Sequence, residues 1–312
     1  MLVIGGSGFI GSELLLTLSK RYEVVNFDIN PPLTAGLSQF FTYCDIRDRD
    51  TLHTMVQGLK PHHVVNLAAV TKQDAENLED FDVNILGCKN LIEVLKTVEI
   101  KGKVIFTSTQ HVQTPGFSRK VDFAKFKPYG KYGLSKFIGE LLVQNSSMSN
   151  WIIVRPTLIW GPNHPVLVNG LWRLMKSRRY FHPSRDRVVK NYGYVRNTTQ
   201  QIVTLLESND ELVLRRTFYL GDANIEQSKW VDAFSILLTG KPSIKVPVYL
   251  IKAIALIGEF AKKTFGMQPP IYISRYRNLI TSNVVDVSPI IELTKGTTID
   301  FDTAVKETID LL

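Results

Sequence analysis

The chain has 312 residues, of which 44% are hydrophobic and 21% charged, with 20 glycines and 14 prolines. This ordinary globular composition excludes a disordered, collagen-like or disulfide-scaffold protein. Cys44 and Cys88 are too few for a disulfide framework, which indicates a reducing compartment. No apolar run reaches the roughly 18 residues that span a bilayer, and the start of the sequence, a strand that leads directly into glycines, does not predict a signal peptide. We therefore expect a soluble cytoplasmic protein without an integral membrane segment.

The formal charge of +8 is concentrated in one segment. Residues 172–196 contain eight lysines and arginines and a single acid, Asp186. Three kinds of partner could explain such a segment: nucleic acid, an anionic membrane surface or a phosphorylated small molecule. A solvated face without a partner is the remaining interpretation.

Short β-branched segments alternate with helical patterns through the first half of the chain. The predicted strands are 1–4, 23–27, 40–44, 63–67, 103–107 and 151–154. The predicted helices are 10–20, 48–58, 75–98 and 132–146. Strands that alternate with helices imply right-handed crossovers, so we predict an α/β fold with a doubly wound parallel sheet.

The regular alternation stops at the breaker cluster 161–165. Beyond it we predict helices over 166–176, 198–208 and 247–265 and a strand over 217–220. We therefore expect a sheet domain over residues 1–160 and a smaller, mostly C-terminal α/β substrate lobe over 161–312. This division leaves room for the chain to cross back into the first domain.

The predicted helix 247–265 carries an apolar stripe at helical spacing. Its members are Leu250, Ile254, Ile257, Ala261 and Phe265, with charged residues elsewhere on the helix. A basic amphipathic helix can lie on anionic lipid. Such a stripe more often packs on a core, and that is the arrangement we predict here.

Glycines at positions 5, 8 and 11 directly follow the first strand and open a helix at Phe9 and Ile10. The first allows a sharp turn, the second a close approach to a pyrophosphate, and the third close packing of helix and strand. The helix N-terminus offers N–H groups and a positive dipole end to the phosphates. This context predicts a Rossmann-like dinucleotide site that includes Gly5, Gly8, Phe9, Ile10 and Gly11.

An acid at the end of the second strand indicates which dinucleotide binds. Asp28 lies 17 residues after Gly11, where a carboxylate can accept hydrogen bonds from the adenosine ribose hydroxyls and repel a 2′-phosphate. No arginine lies beside it before Arg47. We therefore predict NAD rather than NADP, with Asp45 and Ile46 beside the adenine.

Tyr132 and Lys136 are four residues apart in a predicted helix and share one helical face. A free tyrosine has a pKa of about 10 and is a poor base at pH 7. A nearby ammonium, with the positive nicotinamide ring, favours the phenolate and lowers that pKa. Tyr132 can then take a proton from a substrate hydroxyl while hydride leaves its carbon. A hydroxyl in the segment 107–109 can hydrogen-bond the same reacting oxygen.

Together these motifs resemble the extended short-chain dehydrogenase/reductase superfamily, in its NAD-dependent epimerase/dehydratase group. The resemblance covers almost the whole chain. It rests on the glycine motif, Asp28, 45–48, 66–69, 84–87, Thr109, Tyr132 with Lys136, 155–156 with 161–162, 194–195 and a closing helix and strand over 286–302.

The resemblance implies roles for individual residues. Thr109, Tyr132 and Lys136 would form the catalytic triad. The cofactor-binding residues would also include Leu67, Ala68, Ala69, Asn84, Thr107, Tyr132, Lys136 and Pro156. No metal site is predicted.

The family usually acts on nucleotide-diphosphate sugars held largely by the C-terminal lobe, where the basic segment lies. Arg185, Arg187 and Lys190 are the candidate diphosphate ligands. A homodimer through helices 79–98 and 132–146 is a further expectation from the family. The predicted function is an epimerase or 4-keto redox enzyme that acts on a nucleotide-diphosphate sugar by tyrosine-assisted hydride transfer.

Departures from the family pattern lie mostly in the substrate half. Asn66 replaces a histidine, Leu158 replaces an asparagine that contacts the sugar nucleotide, and Asn197 stands in place of an acid. The 4,6-dehydratases carry an acidic pair after the hydroxyl residue, where this chain has Gln110 and His111, so dehydration is disfavoured. His111 is either a second proton donor or a loop histidine with a structural hydrogen bond.

Two other functions stay open. Helix 247–265 and Leu158 favour a hydroxysteroid-like alcohol dehydrogenase, whereas the cationic segment argues against it. An NAD-binding regulator or scaffold is the non-enzymatic alternative, and the intact Thr109, Tyr132 and Lys136 argue against that. No nucleic-acid partner is expected, because no recognised motif accompanies the basic segment.

Overall fold

The computed structural model describes residues 1–72, 75, 77–114, 128–184, 187–267 and 269–312. Contacts divide the chain into two units. Unit 1 comprises Met1–Ile159, Gly193–Asp222 and Val285–Ile299, and unit 2 comprises Trp160–Tyr192, Ala223–Val284 and Asp300–Leu312. Unit 1 thus includes two segments that we had placed in the lobe 161–312.

The strands of the described residues fall into three sheets. They are β1 (Leu2–Ile4), β2 (Val25–Asp28), β3 (Phe41–Tyr43), β4 (Val64–Asn66), β5 (Val104–Thr107), β6 (Trp151–Pro156), β7 (Leu158–Trp160), β8 (Phe181–Ser184), β9 (Val189–Tyr194), β10 (Thr217–Leu220), β11 (Asn224–Glu226) and β12 (Ile244–Pro247). The six strands predicted in the first half, and the predicted strand 217–220, are all present, with shifts at their ends.

The α-helices connect and cover these strands. They are α1 (Phe9–Leu18), α2 (Arg49–Leu59), α3 (Cys88–Thr97), α4 (Gly130–Gln144), α5 (Arg173–Lys176), α6 (Val195–Glu207), α7 (Asp210–Val213), α8 (Gln227–Thr239), α9 (Val248–Phe265), α10 (Ile273–Ile280), α11 (Ser288–Leu293) and α12 (Phe301–Asp310). No described helix is both long enough and apolar enough to cross a membrane.

Seven strands form the sheet of unit 1, in the order β10-β6-β5-β4-β1-β2-β3. All neighbouring strands in it are parallel. The predicted doubly wound parallel sheet is therefore confirmed. β1 lies between β2 and β4, so the strand order reverses at β1. Open α/β sheets bind ligands at such a reversal, outside the carboxyl ends of the strands.

Alternate residues of the strands face two separate cores. Leu2 and Ile4 of β1 pack in a cluster with α2, α3 and α4. Val3 packs on the opposite face with α1, α6 and α11. Because both faces are covered, the strands are continuous apolar runs rather than alternating ones.

Aromatic side chains form much of the core of unit 2. Trp230 stacks on Tyr192 with ring centroids 4.7 Å apart, and Phe234 lies 4.6 Å from Trp230 and 5.5 Å from Trp172. In this unit β9 pairs with β11 in antiparallel fashion, and β8 pairs with β12 in parallel. Burying several large aromatic rings gives a small unit much of its hydrophobic stabilisation.

Three sequence predictions about elements are wrong. The predicted helix 75–98 is regular only from Cys88, because 79–81 form a 3₁₀ turn and 83–87 a π-helical turn. No strand occurs over the described residues 286–302, where α11 ends in a turn with Gly296 at a φ of 83°. The stripe predicted to pack on a core is exposed at Leu250, Ile254, Ile257 and Phe265, because α9 packs through a different line of residues.

Candidate active site

The glycine-rich loop lies against the carboxyl end of β4. Gly5 has a φ of +80°, and a Cβ at this position would overlap the backbone of Ala68. A Cβ at Gly11 would come 2.5 Å from the Gly5 carbonyl oxygen. Both positions therefore require glycine. Gly8 is the N-cap of α1, and no side chain caps that terminus, so its N–H groups can meet a phosphate.

The Asp28 carboxylate lies at the end of β2 beside this loop. One oxygen accepts a hydrogen bond from the Ser7 N–H at 3.0 Å, and the other accepts one from the Asn30 N–H at 3.0 Å. A carboxylate oxygen can accept a second bond, so Asp28 keeps acceptor capacity for ribose hydroxyls. Asn26 fixes the loop below it by accepting from the Gly6 N–H and donating to Ser7 Oγ.

The Arg47 guanidinium forms an ion pair with Asp45, which occupies it and leaves it less available to a 2′-phosphate of NADP. Its Nε and Nη2 donate to the two Asp45 oxygens at 3.0 and 2.6 Å. These hydrogen bonds hold the pKa of Asp45 below its ordinary value. The ion pair uses part of the hydrogen-bonding capacity of both Asp45 oxygens. The predicted contact of Asp45 with adenine stays a prediction. Ile46 packs on Gly87, where a Cβ would lie 2.5 Å from the isoleucine side chain.

The predicted triad comes together at the carboxyl end of β5. Tyr132 and Lys136 lie on the buried side of α4, and Thr109 is the side chain whose interaction favours the Tyr132 phenolate. The Lys136 ammonium donates to the Thr107 carbonyl at 2.9 Å, which anchors α4 to β5. A base, a hydroxyl partner and a fixed cation therefore share one buried site.

The pKa of Tyr132 does not follow the prediction from the Tyr–Lys spacing. Burial raises the pKa of Tyr132 to about 12, with the Thr109 side chain acting in the opposite direction. Burial also lowers the pKa of Lys136 to about 8. The expected lowering of the phenol pKa by Lys136 is thus not found, because burial disfavours the charged phenolate and the opposing contribution comes from Thr109. A positive charge supplied by the cofactor ring is the remaining way to favour the phenolate.

Asn84 connects three parts of the site. Its side chain accepts from the Val70 N–H at 2.9 Å and donates to the Val70 carbonyl at 3.0 Å and to Ser135 Oγ at 2.9 Å. Ser135 in turn donates to the Tyr132 carbonyl at 2.8 Å. The segment after β4, which contains Ala68 and Ala69, is thereby tied to the helix that carries Tyr132. The π-helical turn over 83–87 presents Asn84 for this contact, and such turns often occur at functional sites.

His111 lies in the same site. Its ring centroid is 6.2 Å from that of Tyr132 and 5.7 Å from that of Tyr129. Its carbonyl accepts from the Tyr129 N–H at 2.8 Å. Burial lowers the pKa of His111, so the imidazole is neutral at pH 7.

The three candidate diphosphate ligands differ in their surroundings. Arg185 lies outside the described residues, and Arg187 is exposed. Lys190 is buried in unit 2, where its ammonium donates to the Asn278 carbonyl at 2.6 Å and to Asn278 Oδ1 at 3.0 Å. Burial lowers the pKa of Lys190 to about 8. These bonds stabilise the lobe itself, and a role for Lys190 toward a substrate stays a prediction.

One buried ion pair beside the triad was not predicted from the sequence. Arg155 Nε and Nη2 donate to the two Glu140 oxygens at 2.8 and 2.6 Å, and Arg155 Nη1 donates to the Tyr219 hydroxyl at 3.1 Å. Glu140 follows Lys136 by one helical turn, and both line a small cavity with Thr107 and Ser108. The sequence does contain an indication of this buried pair, because Glu140 and Arg155 are single charged residues within otherwise apolar segments.

Residues 1–221 match the sequence profile of the NAD dependent epimerase/dehydratase family. The chain belongs to this family. Family membership confirms the predicted resemblance, the enzyme class and NAD as the cofactor. Three features of the site fit that cofactor. The turn at Gly5 and Gly11 carries no side chains, the N-terminus of α1 has no side-chain cap and can meet a phosphate, and Asp28 can accept hydrogen bonds from a ribose.

Individual relatives of this family member differ in their substrates. A 3beta-hydroxysteroid-dehydrogenase/decarboxylase (isoform 2) of Arabidopsis thaliana is 24% identical over 94% of this chain and 60% of its own length. The N-acetyl-alpha-D-glucosaminyl-diphospho-ditrans,octacis-undecaprenol 4-epimerase of Escherichia coli O157:H7 is 26% identical over 65% of this chain and 61% of its own length. The chain thus spans about 60% of either relative.

Solved structures of the epimerase/dehydratase type share the fold. The UDP-glucose 4-epimerase of Thermus thermophilus, solved in complex with NAD, superposes with a TM-score of 0.70. It is 21% identical, and the match covers 99% of this chain and 97% of that one. This likeness establishes the architecture only.

Proposed function

We propose that the protein oxidises a secondary alcohol of a nucleotide-diphosphate sugar and acts as an epimerase or 4-keto redox enzyme. The observation that carries the proposal is the grouping of the buried Tyr132 phenol, the buried Thr109 hydroxyl and the anchored Lys136 ammonium. A pure binding protein has no need of this arrangement.

The side chains divide the reaction between them. NAD supplies the nicotinamide carbon that accepts the hydride. Thr109 orients the substrate hydroxyl, and the Tyr132 phenolate takes its proton as the carbon–hydrogen electron pair leaves and a carbonyl forms. Lys136 places a positive charge near the phenolate, and Asn84 fixes the helix that carries both residues. Return of the hydride to the other face of the carbonyl would invert the carbon, whereas a hydride that stays with the cofactor would leave the substrate oxidised by two electrons.

The substrate class is supported by the exposed cations of unit 2. Arg173, Lys176 and Arg187 are exposed there, and arginine binds phosphate oxygens in bidentate fashion. Gln110 and His111 directly follow Thr109, so neither of these two positions supplies the carboxylate that a dehydratase would use as its acid. We propose His111 as a hydrogen-bond partner of the keto oxygen or sugar.

A panel of ligands tests the substrate class. We expect one class of nucleotide sugar, offered with NAD, to raise the melting temperature by several degrees, because a ligand that binds only the folded state stabilises it. The panel contains UDP-, dTDP-, GDP- and CDP-sugars and is read by thermal shift, with the free nucleotides as controls. The absence of a shift with every nucleotide sugar would contradict the proposed substrate.

A sterol-like alcohol is the second candidate substrate. It is favoured by the hydroxysteroid relative that matches 94% of this chain, and by the apolar Leu158 on β7. A 3β-hydroxysterol in detergent is therefore included in the panel. Stabilisation by the sterol alone would make a sterol the proposed substrate. If neither class were converted, as judged both by reduction of NAD and by a change in the substrate itself, a cofactor-binding scaffold would be favoured.

We further propose that Asp28 selects NAD over NADP. We expect Asp28→Ala to weaken NAD binding about 10- to 100-fold, because hydrogen bonds to a charged acceptor are lost. Binding of NADP should change much less, since the charge that repels its 2′-phosphate is removed at the same time. Calorimetric titration measures both, and Asp50→Ala is the control because Asp50 is an exposed acid on α2. Unchanged NAD affinity in Asp28→Ala would show that Asp28 does not bind the ribose.

A homodimer through residues 79–98 and 132–146 is also proposed. Each of these segments carries an exposed leucine, Leu86 at 42% and Leu141 at 39%. The protein is proposed to reside in the cytoplasm, and Cys44 and Cys88 are accordingly free thiols.

A further inference from the structure

Helix α9 in unit 2 packs on the protein along a single line of residues. Ile251, Ala255 and Gly258 are buried, and they repeat at helical spacing. They contact α10 and its surroundings, with Tyr276 in the same cluster. A helix at the surface of a globular protein usually buries a stripe at least about 100° wide. The line on α9 is narrower than that, which leaves most of its circumference uncovered.

The uncovered part of α9 is apolar. We define the α9 surface as eight residues of α9 and the turn after it that are 46–70% exposed: Tyr249, Leu250, Ile254, Leu256, Ile257, Phe260, Phe265 and Met267. Single exposed apolar residues are ordinary, but a contiguous group of this kind marks an interaction site.

Cations accompany the α9 surface. Residues 241–277 contain seven lysines and arginines and one acid, Glu259. Glu259 pairs with Lys263 at 3.4 Å. Lys262 and Arg275 lie over the ring of Tyr272, at 4.5 and 5.0 Å from its centroid. A surface that combines exposed apolar side chains with an excess of positive charge complements a partner that is both apolar and negatively charged.

An anionic bilayer surface has both properties, and the α9 surface of a second copy of this chain does not. A two-fold contact between two α9 surfaces would bring like charges together with a single acid on each side, which is unfavourable. At a bilayer, Lys and Arg meet anionic headgroups while Leu, Ile and Phe enter the boundary of the acyl region. Within its 18 residues α9 carries Lys252, Glu259, Lys262 and Lys263, which suits a helix that lies in the interface. We propose that the α9 surface docks the protein on an anionic lipid bilayer.

Sedimentation with vesicles tests this proposal on the full chain. We expect the protein to sediment with vesicles of phosphatidylcholine and phosphatidylglycerol at low salt. It should bind at least about tenfold more weakly to phosphatidylcholine alone or at about 0.5 M salt, because both conditions remove the electrostatic attraction. Absence of sedimentation with the anionic vesicles, or equal binding to both lipids, would overturn the proposal.

Charge-neutral substitutions separate the apolar part from the electrostatic part. Ile257→Gln with Phe260→Gln should reduce binding about tenfold or more, while melting temperature stays close to that of the wild type, because both side chains are exposed. Leu212→Gln on α7 is the matched control, since Leu212 is 50% exposed on a short helix of unit 1, and it should bind like the wild type.

Two outcomes of this series would contradict the proposal. One is equal vesicle binding by the wild type and the Ile257→Gln, Phe260→Gln variant. The other is a wild-type dimer, seen by light scattering, that this variant converts to a monomer without any vesicle binding by either protein. That result would assign the α9 surface to self-association. None of these measurements depends on turnover, so they stand apart from the proposed enzymatic function.

Discussion

Replacement of Tyr132 by phenylalanine should lower turnover about 100- to 10,000-fold and leave NAD binding intact. General acid–base catalysis contributes rate factors of this size, and the substitution removes only the phenol hydroxyl of the buried Tyr132 side chain. The measurement is kcat with the nucleotide sugar that the ligand panel identifies, together with calorimetric titration of NAD.

Tyr129→Phe is the matched control for this experiment. Tyr129 lies three residues away, is 38% exposed, and also neighbours His111. We expect its turnover to stay within about twofold of the wild type. If Tyr132→Phe turned over as fast as Tyr129→Phe, Tyr132 would have no part in proton transfer.

The same phenol should set the pH dependence of alcohol oxidation. The phenolate is the active form, so kcat/KM should rise about tenfold per pH unit below the pKa of the phenol. Burial raises the pKa of Tyr132 to about 12 despite the opposing effect of Thr109. A plateau of kcat/KM that begins well below pH 12 would measure how far the positive nicotinamide ring lowers the pKa of the phenol. In the Tyr132→Phe variant, kcat/KM should no longer rise with pH in this way.

Glu140→Gln should lower the free energy of unfolding by about 3–5 kcal/mol. The substitution leaves the Arg155 guanidinium buried without its counter-charge, and loss of one partner from a buried pair costs this much. Both side chains of the pair are at most 6% exposed. Denaturant unfolding measures the change.

An exposed ion pair gives a matched control for the buried one. Glu207→Gln removes the same charge from the pair with Arg21, in which the two side chains are 62% and 39% exposed, and should cost less than about 1 kcal/mol. A double variant, Glu140→Met with Arg155→Met, should recover much of the stability that Glu140→Gln loses. A loss in Glu140→Gln no larger than that in Glu207→Gln would show that the pair is not buried in solution.

The cofactor half of the fold was predictable because its signals are local. β-branched runs such as 103–107 must be buried on both faces, and the glycines at 5 and 11 are dictated by close backbone contacts. Tyr132 and Lys136 share a helical face by spacing alone. Their pKa values were not predictable, because the burial that raises one and lowers the other depends on how α4 packs on β5.

The second unit was predicted less well because its elements depend on distant partners. β8 and β9 contain His182, Pro183 and Lys190, and their pairing with β12 and β11 joins segments far apart in the chain. Charge counting also made Lys190 a candidate diphosphate ligand, although its side chain is buried against Asn278. On α9 two lines of residues share helical spacing, and the smaller residues Ala255 and Gly258 allow the closer approach. Periodicity alone cannot distinguish the two lines.

The position of β10 at the edge of the main sheet limits how this protein can be shortened. β10 comes from residues 217–220 and covers one side of β6, along Ile153 and Val154. A fragment that ends at residue 160 would leave the backbone N–H and C=O groups of β6 open on that side, along a strand with fully buried apolar side chains. Open apolar strand edges recruit other chains and aggregate. A usable cofactor-binding fragment must therefore join 193–222 to the first 159 residues, rather than stop where the glycine-rich half of the sequence ends.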